Sequence, residues 1–190
     1  MRRSAFIGTL TLVTATTSAT WAQKQDETTE AGNPRASHLA IGGELMDLKS
    51  DFGVGLSLTS PYFIGGHAAL RAHGGIAWFD GIPKDETEYE WMGYVPLRLG
   101  VTTTVGTVGS SRFYAEAGLL VVPPSKLTNA ATLGGYGNFG FEFFTMETSP
   151  VAYFLQAGAV GSNGDAGEVS GEPTFANGFL MEVGFRWYPY

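Results

Sequence analysis

The stretch Phe179-Leu180-Met181-Glu182-Val183-Gly184-Phe185-Arg186-Trp187-Tyr188-Pro189-Tyr190 decides the fold. Taken at every second residue, Phe179, Met181, Val183, Phe185 and Trp187 form one large apolar row. Leu180, Glu182, Gly184, Arg186 and Tyr188 form the other, which is mixed and carries both charges. A period of two means a strand whose faces meet different surroundings. In water the apolar row would be an exposed, aggregation-prone edge. Against lipid, in a sheet closed on itself, it is the ordinary outer face of a barrel stave.

The same alternation recurs upstream in Leu39–Met46, Asp51–Thr59, His67–Trp78, Tyr89–Val105, Arg112–Val121, Leu133–Thr145 and Val151–Val160. With the last stretch the count is eight. An even number of antiparallel strands closes with both ends of the sheet on one side, and eight gives an interior filled by side chains. The expected fold is all-β, an eight-stranded antiparallel up-and-down transmembrane barrel. Its connections alternate in length. Gly106–Ser110 and Glu147–Ser149 read as tight turns, whereas Asp80–Glu88, Val122–Thr132 and Gly161–Thr174 are long, polar and rich in Gly and Pro. Outer-membrane barrels show this asymmetry, with the long loops outside the cell. Asp47–Ser50 is the exception, a short link on the long-loop side.

The charges within the strands fall on the non-lipid row: Glu44, Arg71, Arg98, Glu116, Glu142, Glu182 and Arg186. Arg or Lys facing lipid at mid-depth costs about 2–4 kcal/mol, which gives the segregation a physical cause. Inside a narrow barrel these groups must pair or stay hydrated. Neighbouring strands suggest Arg98 with Glu116, and Glu44 with Arg186. His67 and His73 share that row with Arg71 and read as polar lumen histidines, since no third ligand stands at a useful spacing and Cys is absent. Trp78, Tyr89, Trp91, Trp187 and Tyr188 sit at strand ends and read as membrane-interface aromatics. No catalytic, cofactor-binding or metal-ligating residue is expected. The acids Asp85, Glu86, Glu88 and Glu90 read as a solvated loop.

The amino terminus has a different character. Met1-Arg2-Arg3 is followed by a mainly apolar run from Ala5 to Val13 and then by small and polar residues up to Ala22. This pattern predicts a secretory signal peptide over 1–22. Residues 23–37 are almost devoid of apolar side chains and read as a disordered leader, with the barrel over 38–190. Cleavage would remove Arg2 and Arg3 and no acid, leaving nine basic against eighteen acidic residues, a net charge of −9. So acidic a chain, without a basic cluster, excludes nucleic acid as a partner. The absence of cysteine excludes disulfides and thiolate metal sites.

By these features the chain resembles the small bacterial outer-membrane β-barrel proteins, the class that includes the OmpA transmembrane domain and OmpX. The resemblance is one of pattern and covers about Ser37 to Tyr190. Glu182, Gly184 and Trp187 match the carboxyl-terminal assembly signal of that class. Pro189 stands where an aromatic is expected, and Tyr190 follows it. The resemblance implies outer-membrane location and lipid contact, escort by periplasmic chaperones and insertion by the barrel-assembly machinery. It implies no shared activity. The expected role is non-enzymatic, with the barrel acting structurally or through its long loops on a host or surface component. The alternatives are a small-solute channel, a lumen or surface enzyme, and a soluble exported barrel holding a lipophilic ligand.

Overall fold

The computed structural model describes residues 37–49, 51–146 and 149–189. The expected signal peptide, nearly all of the leader, and Tyr190 of the assembly signal lie outside the described residues.

Among the described residues nine strands form one antiparallel sheet: β1 Ala40–Leu48, β2 Asp51–Thr59, β3 Ala68–Gly81, β4 Glu90–Tyr94, β5 Leu97–Val108, β6 Ser111–Val122, β7 Thr132–Phe144, β8 Val151–Ser162 and β9 Gly178–Trp187. Consecutive strands pair, except that β3 pairs with both β4 and β5, and β9 returns to pair with β1 from Ile41↔Trp187 to Leu48↔Leu180. The sheet is therefore closed. β4 and β5 are two segments of a single stave. Ala77 faces Tyr94 and Gly74 faces Leu97, so the register against β3 runs unbroken across Val95-Pro96. Proline has no N–H to give the ladder, so the pairing is interrupted there without a shift. The barrel has eight staves, as the alternation predicts.

The two ends differ. Among the described connections, Ser60–His67 and Gly109–Ser110 lie at one end, called here the turn end. Gly109 adopts φ 58°, the left-handed conformation that a two-residue hairpin needs. The strand pair around it extends beyond the expected limits, with a bulge between Thr104 and Gly106. The opposite end carries the short β1–β2 link at Lys49 and the three long loops, and is called the loop end.

Burial follows the alternation. In β1, Ala40, Glu44, Met46 and Leu48 point inward and are buried, while Ile41 and Leu45 point outward and are exposed. Leu56, Leu99, Leu119, Phe139, Leu155 and Val183 continue the apolar outer belt on other staves. The outward acids of the strands, Asp47 and Asp80, both stand near the loop end.

The interior is filled in three layers. At the turn end Ala40, Phe144, Ala152 and Tyr188 form a small apolar floor. The middle holds the buried charges. Towards the loop end the inward row becomes apolar, with Met46, Leu48, Met92, Leu120, Val122 and Leu180 meeting Leu127, Val169 and Phe175 of the loops. The strand charges led to the expectation of a polar lumen filled by side chains, and this apolar outer third corrects it. The reason is parity: these apolar residues occupy the same inward positions as the charges, only further along each stave.

Candidate functional site

Two places concentrate polar chemistry: the middle layer of the barrel and the loops that roof it.

In the middle layer Glu116 accepts from Arg71 Nη1 at 2.6 Å and from the Tyr136 hydroxyl at 2.7 Å, and lies 2.8 Å from His73 Nε2. The other ring nitrogen of His73 faces both oxygens of Glu44, at 2.9 and 3.0 Å. Both nitrogens thus meet groups that only accept, an arrangement satisfied when both carry protons. Arg98 reaches Glu44 at 3.1 Å and grips Glu182 with both terminal nitrogens. Gln156 donates to Glu182 and accepts from Tyr114, whose hydroxyl also receives Arg186 at 3.0 Å. Arg186 lies 3.6 Å from Glu142, which pairs with Arg112 and accepts from Tyr188 at 2.6 Å. With Arg71 also donating to Thr59, the web touches every one of the eight staves.

Aromatic rings brace this web. Tyr114 lies 5.0 Å from both the Arg71 and Arg186 guanidiniums, and Phe154 lies 3.9 Å from Arg186. The rings lie over glycines on the next stave. A Cβ at Gly140 would overlap the Tyr114 ring, and one at Gly184 would overlap the Phe154 ring and the Gly43 carbonyl. Gly184 thus has a packing reason of its own, besides its expected place in an assembly signal.

All seven charges of the expected lumen set are buried here, but their partners differ from those expected. Arg98 pairs with Glu44 and Glu182 instead of Glu116, and Glu44 pairs with His73 and Arg98 instead of Arg186. In register, Arg98 sits opposite Leu120 while Glu116 sits opposite Thr102, four residues along the stave. Long side chains therefore reach across the lumen to non-neighbouring staves. Arg112 belongs to the web and was missed, although it shares the parity of Tyr114 and Glu116. Tyr188 was expected at the membrane interface. It is 2 % exposed, because it shares the inward parity of Arg186 and binds Glu142. His67 was expected in the lumen. It is exposed, because the chain is still in the turn before β3 begins at Ala68. Trp78 packs on Phe52 near the loop end, and Tyr89, Trp91 and Trp187 are exposed on the outer wall.

The web brings together Glu44, His73 and Glu182, whose ligand atoms lie within 4.8 Å of one another. That spacing would suit a metal, but Arg98 already donates to both carboxylates from the same space. A second cation there would face the guanidinium without screening.

The three long loops interlock above the barrel. The Lys84 amide donates to the Glu168 carbonyl, Ser170 to Ile82 and Glu168 to Leu127, tying the β3–β4, β6–β7 and β8–β9 loops together. Phe175 packs edge-on against Tyr94, with ring centroids 5.3 Å apart, and is itself buried. The loop end carries most of the charge imbalance. Asp47, Asp51, Asp80, Asp85, Glu86, Glu88, Glu90, Asp165, Glu168 and Glu172 stand there against Lys49, Lys84 and Lys126. Between the loops lies a cleft of about 310 Å³.

No protein-family model matches the sequence, and no curated protein matches it. Solved structures do. The outer membrane protein OprG from Pseudomonas aeruginosa is similar with a TM-score of 0.50 and 12 % identity, over 81 % of this chain and 97 % of that one. The N-terminal β-barrel domain of Pseudomonas aeruginosa OprF gives a TM-score of 0.48 and 15 % identity, over 80 % and 96 %. At such identity the likeness to OprG is one of fold: this chain has the architecture of a small outer-membrane β-barrel.

Proposed function

We propose that this protein is an integral outer-membrane barrel that conducts nothing, catalyses nothing and acts through its loop end on components at the cell surface. The observation that carries the reading is the inside–outside partition of the wall. The charges at mid-stave are buried and paired, while the outward row is a continuous apolar belt far larger than the patches soluble monomers expose. Lipid is the solvent that belt fits. A soluble barrel holding a lipophilic ligand would need the opposite partition.

A sealed interior favours a structural role over a channel. A solute crossing the barrel would have to displace the roof of Leu127, Val169 and Phe175 and then separate ion pairs held on six of the eight staves. Catalysis in the lumen is disfavoured by the same geometry, because His73 has both nitrogens against carboxylates and neither is left to act as a general base. Export by a cleaved signal peptide, chaperone escort and insertion by the barrel-assembly machinery complete the proposal. Fractionation with heat-modifiable gel migration tests it. The expected result is a faster band in the unboiled outer-membrane fraction. A single band in the soluble periplasm would overturn it.

A further inference from the structure

We infer that the Arg186 guanidinium holds a small monovalent anion of the halide class, sealed in the middle layer of the lumen. The inference stands on that layer alone and goes beyond the role of the loop end. Every other cation of the layer has a carboxylate of its own. Arg71 has Glu116, Arg112 has Glu142, Arg98 has Glu182, and His73, with protons on both nitrogens, has Glu44. Arg186 is then the fifth buried cation against four acids, and the layer carries a surplus of one positive charge. Asp51 is also buried, but it is bound to Tyr94 at the loop end and takes no part in the web.

The hydrogen bonds of Arg186 agree with the charge count. Its acceptors are the Tyr114 hydroxyl at 3.0 Å and the Gln156 amide oxygen at 3.5 Å, both neutral. Glu142 lies 3.6 Å from Nη1, beyond a hydrogen bond, and its oxygens already serve Arg112 and Tyr188. Among the described residues Nε and Nη1 have no hydrogen-bond partner, although the side chain is fully buried. Arg71 Nη2, on the other guanidinium beside Tyr114, is unpartnered too. A buried charge with unmet donors is costly until a charged acceptor meets it. The surplus is one charge, so a divalent anion would reverse it. The rings of Phe154 and Tyr114, 3.9 and 5.0 Å from the guanidinium carbon, leave the N–H groups open to approach in their own plane. A sphere fits there without orientation, whereas a carboxylate or phosphate would bring further oxygens that find no donor. The roofed barrel would take up the ion as the sheet closes.

The test is to refold the full chain in detergent with sodium bromide or, at equal ionic strength, sodium gluconate or sodium sulfate. The reading is the temperature at which half of the fast-migrating gel band is lost. Bromide is expected to raise that midpoint saturably, by about 5 °C at hundredfold excess over Kd, and the other two salts to leave it in place. Arg186→Met removes the surplus cation and should abolish the bromide shift. His73→Gln keeps an amide donor and acceptor but removes the balancing charge across the lumen, so half-saturation should need about tenfold more bromide. That variant reads the same surplus if Arg186→Met does not fold. Equal shifts in all three salts would reduce the effect to screening. A bromide shift unchanged in both variants would place the ion elsewhere. No bromide shift would mean that the surplus is met without an anion. Each of these three results overturns the inference.

Discussion

The middle and loop-end layers of the barrel interior are closed by different physics. The middle layer is a web of buried ion pairs built on the wall itself, with Arg71–Glu116 at 2.6 Å bridging β3 and β6. The loop-end layer is apolar and about a third of it is borrowed, since Leu127, Ala166, Val169, Phe175 and Ala176 come from connections and not from staves. Hydrophobic contact is non-directional, so side chains on loops can supply it. Buried charge is not so tolerant: every donor and acceptor must be placed, and only a closed sheet holds eight staves rigidly enough. The difference explains why the buried charges sit only where the register is fixed, whereas the apolar layer runs from the staves on into the loops.

The largest expected effect is at Glu116, which serves Arg71, His73 and Tyr136 at once. Glu116→Ala leaves two buried cationic groups facing each other and should cost about 3–5 kcal/mol in urea unfolding from detergent micelles. A loss below about 1 kcal/mol would mean the web is hydrated and loosely coupled. Next comes Phe175→Ala, which removes the ring packed on Tyr94. Its cost should fall near the low end for such truncations, about 3 kcal/mol, because the loops can partly collapse into the space. Amide exchange should accelerate in β8–β9 loop residues while the mid-stave amides stay protected. Uniform acceleration would erase the distinction between the layers. The smallest effect is at Lys84→Ala. The Lys84 ammonium holds the exposed Glu172 carboxyl below the ordinary carboxylate range. Its loss should return that carboxyl upward and leave the global unfolding midpoint unmoved, which NMR titration and urea curves check together.

Much of this was legible in the sequence because a strand has one period and a barrel has one inside. Parity alone places Glu44, Arg98, Glu142 and Arg186 in the lumen. The same parity places Arg112 and Tyr188 there, two residues misjudged by weighing position at a strand end above position in the row. His67 went astray for the converse reason: parity was carried past the residue where the strand begins. The pairings were beyond reach. A guanidinium spans the lumen, so its partner depends on the register of staves that are distant in sequence, as Arg98 and Glu182 show. The loop cleft was equally hidden, since Glu168 meets Lys84 and Leu127 only after the sheet has closed.

The central claim is a barrel that spans lipid and is shut from end to end. Planar-bilayer recording of the refolded, heat-modifiable protein tests it most directly. The account predicts a baseline without discrete openings, and small steps on weakening the web with Glu116→Ala. Stable unitary conductance from the unaltered protein would contradict it.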